Sequence, residues 1–211
     1  MKKIFMFLMG LMLIFSISSC NSCKKQSNDV TPEKDSVAVL VVENLVSTDR
    51  QDVYLNHGED YRWFETGVQL ANFLDEENDG TIEMVVNVFQ VVEQYDSTCF
   101  DTFVYKYQHT LEGVTSDAIH GFWVEDSPLN DEVIKVSFKE AFEKIQESNY
   151  PKPHTRQVVL RKEVGPVEAN PQWIFGNRHA QLYVDAVTGN VTDKNPAFGG
   201  LNLGTPLGEW P

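Results

Sequence analysis

The chain is short of the residues that usually announce chemistry. Three cysteines stand in 211 residues, at Cys20, Cys23 and Cys99. They set no disulfide framework of the kind that staples small secreted domains. The five histidines, His57, His109, His120, His154 and His179, are dispersed, with no H-E-x-x-H and no close pair to seed a metal site. No G-x-S-x-G, P-loop or dinucleotide-binding glycine pattern occurs, so hydrolase, nucleotide and nicotinamide chemistry lack their usual markers. Positive charge is scarce as well. Seventeen Lys and Arg face 31 Asp and Glu, a formal charge of −14. Such a surface repels phosphate backbones and excludes nucleic acid as a partner, while a basic partner or divalent cations suit it. The carboxylates are scattered, and no pair stands out as a general acid and base.

What is present begins at the N-terminus. Lys2 and Lys3 precede an apolar run from Ile4 to Phe15, and Ile17-Ser18-Ser19-Cys20 follows. That order predicts a secretory signal over 1–19. The run is shorter than the ~20 residues of a membrane span. An aliphatic residue, two small residues and a cysteine resemble the bacterial lipobox, which implies cleavage before Cys20 and acylation of its thiol and new amino group. Each buried methylene would contribute about 0.8 kcal/mol, so several chains anchor firmly. The expected address is the cell envelope, on its periplasmic or outer-membrane face, with Cys20 as lipid attachment site and the membrane as a partner. Residues 20–36 are polar and carry Pro32, which predicts a flexible tether. With Cys20 lipid-bearing, only Cys23 and Cys99 remain, and no bridge between them is expected.

The next region, 37–130, reads as mainly β, an antiparallel meander. Val37 to Val42 is β-branched and short, predicting a strand. Glu43 to Asp60 is polar with scattered Val46, Val53 and Leu55, and its state stays open. Tyr61 to Leu74 fits either helical spacing or strand alternation; Thr66-Gly67-Val68 is poor helix material and favours the strand. Asn78-Asp79-Gly80 predicts a turn. Ile82 to Val92 is apolar on both faces, as in a central strand covered on both sides. Thr102 to Thr110 alternates Phe103, Tyr105 and Tyr107 with Lys106 and Gln108, and Gly121 to Val124 reads as a short strand. Within this region, Asp75 to Glu83 resembles part of an EF-hand loop, with Asp75, Glu77 and Asp79 as oxygen ligands and Gly80 at the bend. The closing bidentate acid is replaced by Val86, which favours an acidic turn over a calcium site.

Composition shifts near Asn130. Val133 to Val136 predicts a short strand, and Ser137-Phe138-Lys139-Glu140 matches a helix capping box. Phe138, Ala141, Phe142 and Ile145 form one apolar stripe. Ser148-Asn149-Tyr150-Pro151 ends that helix. Strands follow at Gln157 to Arg161, Gln172 to Phe175 and Ala180 to Asp185. The ending Tyr183-Val184-Asp185-Ala186-Val187-Thr188-Gly189-Asn190-Val191, after a capped helix and three strands, resembles the PepSY family. The resemblance implies a helix-on-antiparallel-sheet unit over 131–194 without catalytic residues, in which Asp185, Thr188 and Gly189 are structural. It also implies a role in binding or modulating another envelope protein, peptidases included. The long Gly165 to Gln172 connection departs from the compact family pattern. From Asn195 a Gly- and Pro-rich tail, 195–211, carries Phe198, Leu201, Leu203, Leu207 and Trp210 and is expected to lie along the body.

The expected fold class is α+β, an antiparallel β-rich N-terminal region plus a PepSY-like C-terminal unit. The expected function is a non-catalytic, lipid-anchored envelope protein that binds another envelope protein and needs no cofactor or metal. The alternative is a glycan- or small-ligand-binding lipoprotein whose Trp63, Trp123, Trp173 and Trp210 form a platform.

Overall fold

The computed structural model describes residues 39–94, 100–124, 126–177 and 179–200, all within one compact unit, Ala38–Pro211. Cys20, Cys23, Cys99 and Trp210, with the expected signal, the tether and most of the tail, lie outside the described residues. The chain runs as helix α1 (Val42–His57), strands β1 (Tyr61–Leu70), β2 (Ile82–Gln94), β3 (Phe100–Thr110), β4 (Gly113–His120) and β5 (Asp126–Ser127), helix α2 (Phe138–Glu147), and strands β6 (Gln157–Glu163), β7 (Gln172–Asn177), β8 (Ala180–Asp185) and β9 (Val191–Thr192). A single 3-10 turn, Pro196–Phe198, follows. The nine strands form an antiparallel sheet ordered β4-β3-β2-β1-β6-β7-β8-β9, with β5 paired to β6 beside this path. A helix followed by a meander therefore occurs twice, and the two copies meet at the antiparallel β1–β6 pair.

The strand read over Val37 to Val42 is corrected. Residues 39–41 are not a strand, and Val42 opens α1 instead. The buried residues Val42, Val46, Asp49 and Val53 recur at helical spacing, but valine is β-branched and the stripe contains a carboxylate, so the helical pattern was masked. Gly58 ends α1 with φ 78, and its N–H bonds Tyr54 O at 2.9 Å. The strand reading of Tyr61 to Leu74 holds over Tyr61–Leu70 but not over 71–74, which turn away from the sheet path, and β2 is buried on both faces between β1 and β3. Gly121 to Val124 is not a strand; Trp123 N–H goes to the Gln90 side chain at 2.8 Å. The strand that continues the meander is β4, just before it. Val133 to Val136 is not one either, because Lys135 and Val136 N–H both bond Ala186 O.

The C-terminal half follows its sequence pattern closely. Ser137 Oγ accepts from Glu140 N–H at 3.2 Å while Glu140 Oε2 accepts from Ser137 N–H at 2.8 Å, the reciprocal cap. Phe138, Ala141, Phe142 and Ile145 are buried against the sheet, and Phe138 meets Trp173 edge to face at 5.7 Å. Both helices share one core, with Val53, Phe89, Leu160, Trp173 and Val184 among its members. On the opposite face Val159, Ile174 and Tyr183 form a small second cluster. Beside it Arg161 lies buried between Glu163 and Asp126, and Asn195 donates to Glu163 at 2.7 Å. The start of the tail thus does pack along the body, through Asn195 and Ala197.

The turn after β8 is built by its side chains. Asp185 Oδ1 accepts from Val187 and Thr188 N–H, both at 2.8 Å, and Asn170 donates to Oδ2 at 2.9 Å. Gly189 takes φ 76, and a Cβ there would come within 2.7 Å of Lys144 Cε on α2. Replacing Gly189 with alanine is expected to cost about 1–2 kcal/mol for the left-handed backbone, measured by urea unfolding. Partial burial tends to raise the Asp185 pKa, but Asn170 and the Thr188 and Val187 amides outweigh it and hold the carboxyl below its ordinary value. A depressed folded pKa contributes stability above the unfolded value of about 4, lost as pH falls through the folded one. Asp185→Asn is therefore expected to flatten the acid limb of the melting temperature against pH.

Candidate functional site

Asp49 is the first residue to account for. It sits on the inward face of α1 and is 2% exposed, so its carboxylate must be met by donors. Asn87 Nδ2 on β2 donates to Oδ2 at 2.6 Å, and His109 Nε2 on β3 lies 2.9 and 2.8 Å from the two oxygens. A carboxylate only accepts, which places a proton on that ring nitrogen. The chain of donors continues behind Asn87. Thr66 Oγ1 donates to Asn87 Oδ1 at 2.6 Å, and Trp63 Nε1 donates to Thr66 Oγ1 at 3.1 Å. Every link points towards Asp49. The pair of Asp49 and His109 has the composition of a catalytic dyad, but both residues are buried, at 2% and 7% exposure, and are closed to a substrate.

Two outer contacts complete the clamp of α1 on the hairpin of β2 and β3. Tyr107 OH donates to Asp52 at 2.8 Å; burial first, then the Asp52 carboxylate, push the phenol up and keep it a donor. His57 Nδ1 meets Glu93 at 3.1 Å, and the His57 ring leans on Tyr105 at 4.5 Å. The clamp fixes β3, and β3 carries β4 through an uninterrupted register from Phe103↔His120 to Thr110↔Gly113.

β4 is the sheet edge, and all eight of its residues are exposed. Gly121 N–H bonds Thr102 O at 2.9 Å, so odd-numbered residues of this strand face β3. The N–H and C=O groups of Val114, Ser116, Ala118 and His120 point away from the sheet. Val114 and Ile119 add exposed apolar side chains, with Phe122 and Val124 exposed just beyond. Natural edges are commonly blunted by shortness, proline, bulges or inward charge. The opposite edge of this sheet is blunted: β9 has two residues and is followed by Pro196. β4 is eight residues long without proline or bulge, and its one acid, Asp117, lies opposite Lys106 on β3 and accepts from the outward Ala118 N–H at 2.9 Å. Sequence reasoning missed β4 because a strand exposed on both faces shows no alternation. The signal available was Gly113, three residues after the alternating strand ends.

The other residues singled out from the sequence are accounted for locally. Asp75 pairs with His154, Glu83 with Arg156, and Asp79 accepts from Thr81 N–H at 2.9 Å. These partners draw the acids of the EF-hand-like stretch apart, and no three metal-ligating groups converge among the described residues. His57, His109, His120 and His154 each meet a carboxylate. Of the platform tryptophans, Trp63 and Trp173 are core residues at 6% and 2% exposure. Trp123 is half-buried, donating to Asp126 at 3.1 Å, with Lys106 Nζ 6.0 Å from its ring centroid. No helix among the described residues is long and apolar enough to cross a membrane. No family model, curated protein or solved structure matches the chain.

Removing the Asp49 carboxylate leaves His109 and Asn87 without their acceptor. Asp49→Ala is expected to cost about 3–5 kcal/mol in urea unfolding, the scale for breaking a buried pair. A loss below about 1 kcal/mol would mean that α1 does not depend on this contact.

Proposed function

We propose that this chain is a non-catalytic, lipid-anchored envelope protein that binds another envelope protein by adding a strand of that partner to β4. The observation that carries the reading is the contrast between the two sheet edges. One is shortened to two residues, and the other presents eight exposed residues with alternate backbone groups unpaired by the sheet. In strand addition, main-chain hydrogen bonds supply affinity and the flanking side chains supply specificity. Anchoring through Cys20 places the edge near a membrane surface, and the acidic surface favours a partner with a basic face.

The resemblance of 131–194 to PepSY domains supports the same reading. The capped helix, the three antiparallel strands and the aspartate-built turn are the features on which it rests. Modulation of a peptidase is the form of binding that this family suggests. Burial of Trp63 and Trp173 takes away most of the motive for a glycan platform, which makes the protein partner the favoured reading.

The test is a proline at a position whose N–H points outward. Ser116→Pro removes one outward donor while sparing the bonds between β3 and β4, the context in which edge strands tolerate proline. Wild-type protein is expected to retain a stoichiometric partner from detergent-solubilised envelopes, and Ser116→Pro to lose it while keeping its fold by circular dichroism. Undiminished capture by the folded variant would show that the partner binds elsewhere.

A further inference from the structure

Asp117 stands in the middle of the exposed strand β4, opposite Lys106 of β3 in the register, but the two are not paired. The Lys106 ammonium lies over the Trp123 ring instead, 6.0 Å from its centroid. Asp117 takes part in no ion pair among the described residues. The other titratable residue of the strand, His120, is already met by Asp101. The open edge therefore presents one carboxylate that no cation answers.

That carboxylate also holds a donor which an added strand needs. Asp117 Oδ1 accepts from Ala118 N–H at 2.9 Å, and this N–H is one of those that point away from the sheet. The N–H and C=O of Asp117 itself point to β3, so on the open side residue 117 takes the non-hydrogen-bonded position. In an antiparallel pair such positions bring the two Cα atoms to about 4.5 Å, closer than the hydrogen-bonded ones. The residue of an added strand that faces Asp117 is therefore held close to its carboxylate. A Lys or Arg there draws the carboxylate away and frees Ala118 N–H for the incoming carbonyl. An Asp or Glu there meets a like charge directly opposite, which is destabilising, and leaves the donor occupied. On the other face of β4, Val114, Ser116 and Ala118 are exposed and uncharged. Apolar side chains suit the positions on either side of the cation.

We propose that Asp117 selects the strand that β4 accepts: an antiparallel extended segment with Lys or Arg facing Asp117 and apolar residues on either side of it. The proposal rests on the strand-addition reading above and adds to it the chemistry of the partner. The same carboxylate disfavours the register in which two copies of this chain pair about residue 117, since each Asp117 would then face the other.

Two capped, fluorescently labelled heptapeptides test it by anisotropy: Val-Thr-Val-Lys-Val-Thr-Val, and the same peptide with Glu in place of Lys. The whole chain is expected to bind the Lys peptide about fivefold more tightly, the scale of one cross-strand charge pair against a like-charged one. Overall attraction to a chain of formal charge −14 also favours Lys, so a local charge reversal is needed to separate the two effects. Asp117→Lys leaves the chain strongly acidic and is expected to abolish or reverse the preference, with circular dichroism establishing that the variant is folded. An unchanged preference in the folded variant would overturn the proposal, as would no saturation by either peptide at about 1 mM. Ser116→Pro tells this failure from that of the reading beneath it. Loss of both peptides in Ser116→Pro, with the preference unchanged in Asp117→Lys, overturns the selection and leaves strand addition standing. Wild-type affinity for both peptides in folded Ser116→Pro places them off β4 and overturns the two together.

Discussion

The arrangement of this protein turns on one buried carboxylate. An ionised side chain taken out of water is costly unless donors surround it, and Asp49 is met by Asn87 and His109 from two adjacent strands. Because the carboxylate belongs to α1 and its donors to β2 and β3, the contact fixes the helix over that hairpin in one position. Three valines supply the buried apolar part of the α1 stripe, which is modest for a sixteen-residue helix. Position is therefore set by polar geometry and held by apolar burial. The second helix is docked differently. α2 presents Phe138, Phe142 and Ile145 and needs no buried charge.

The two helix-and-meander halves also differ at their outer strands, and the differences follow from how each ends. The second half closes with a two-residue strand and a 3-10 turn that packs back through Asn195 and Ala197. The first half ends in β4, a full strand that pairs on one side only among the described residues. Rigidity behind an open edge lowers the ordering cost of adding a further strand, since the template is already in its bound shape. The Asp49 clamp, through His109 and Tyr107 on β3, supplies that rigidity.

The sequence was most legible where local pattern and tertiary role agree. The α2 cap, its apolar stripe, the two-faced β2 and the strands β6 to β8 all follow from residues close together in the chain. The Asp185 turn was readable for the same reason, since its acceptor and donors span four residues. α1 was not legible, because its stripe is built from β-branched valines around an aspartate whose partner lies 60 residues away. β4 hid for the opposite reason: with both faces in solvent, nothing selects alternation. The pairing of Arg50 with Asp131 joins residues 81 apart and has no local trace. A lone acid within an apolar helical stripe is the hint that, given weight, would have pointed to Asp49.

A double-mutant cycle between Asp49 and His109, with Asn and Phe as the replacements, tests most directly whether this contact governs the placement of α1. Urea unfolding of the four proteins gives the coupling between the two side chains free of their separate effects. A coupling of about 1.5–3 kcal/mol is expected for a buried hydrogen bond to a charged group. Additive losses, with coupling near zero, would contradict the account and leave the apolar contacts of α1 as its only anchor.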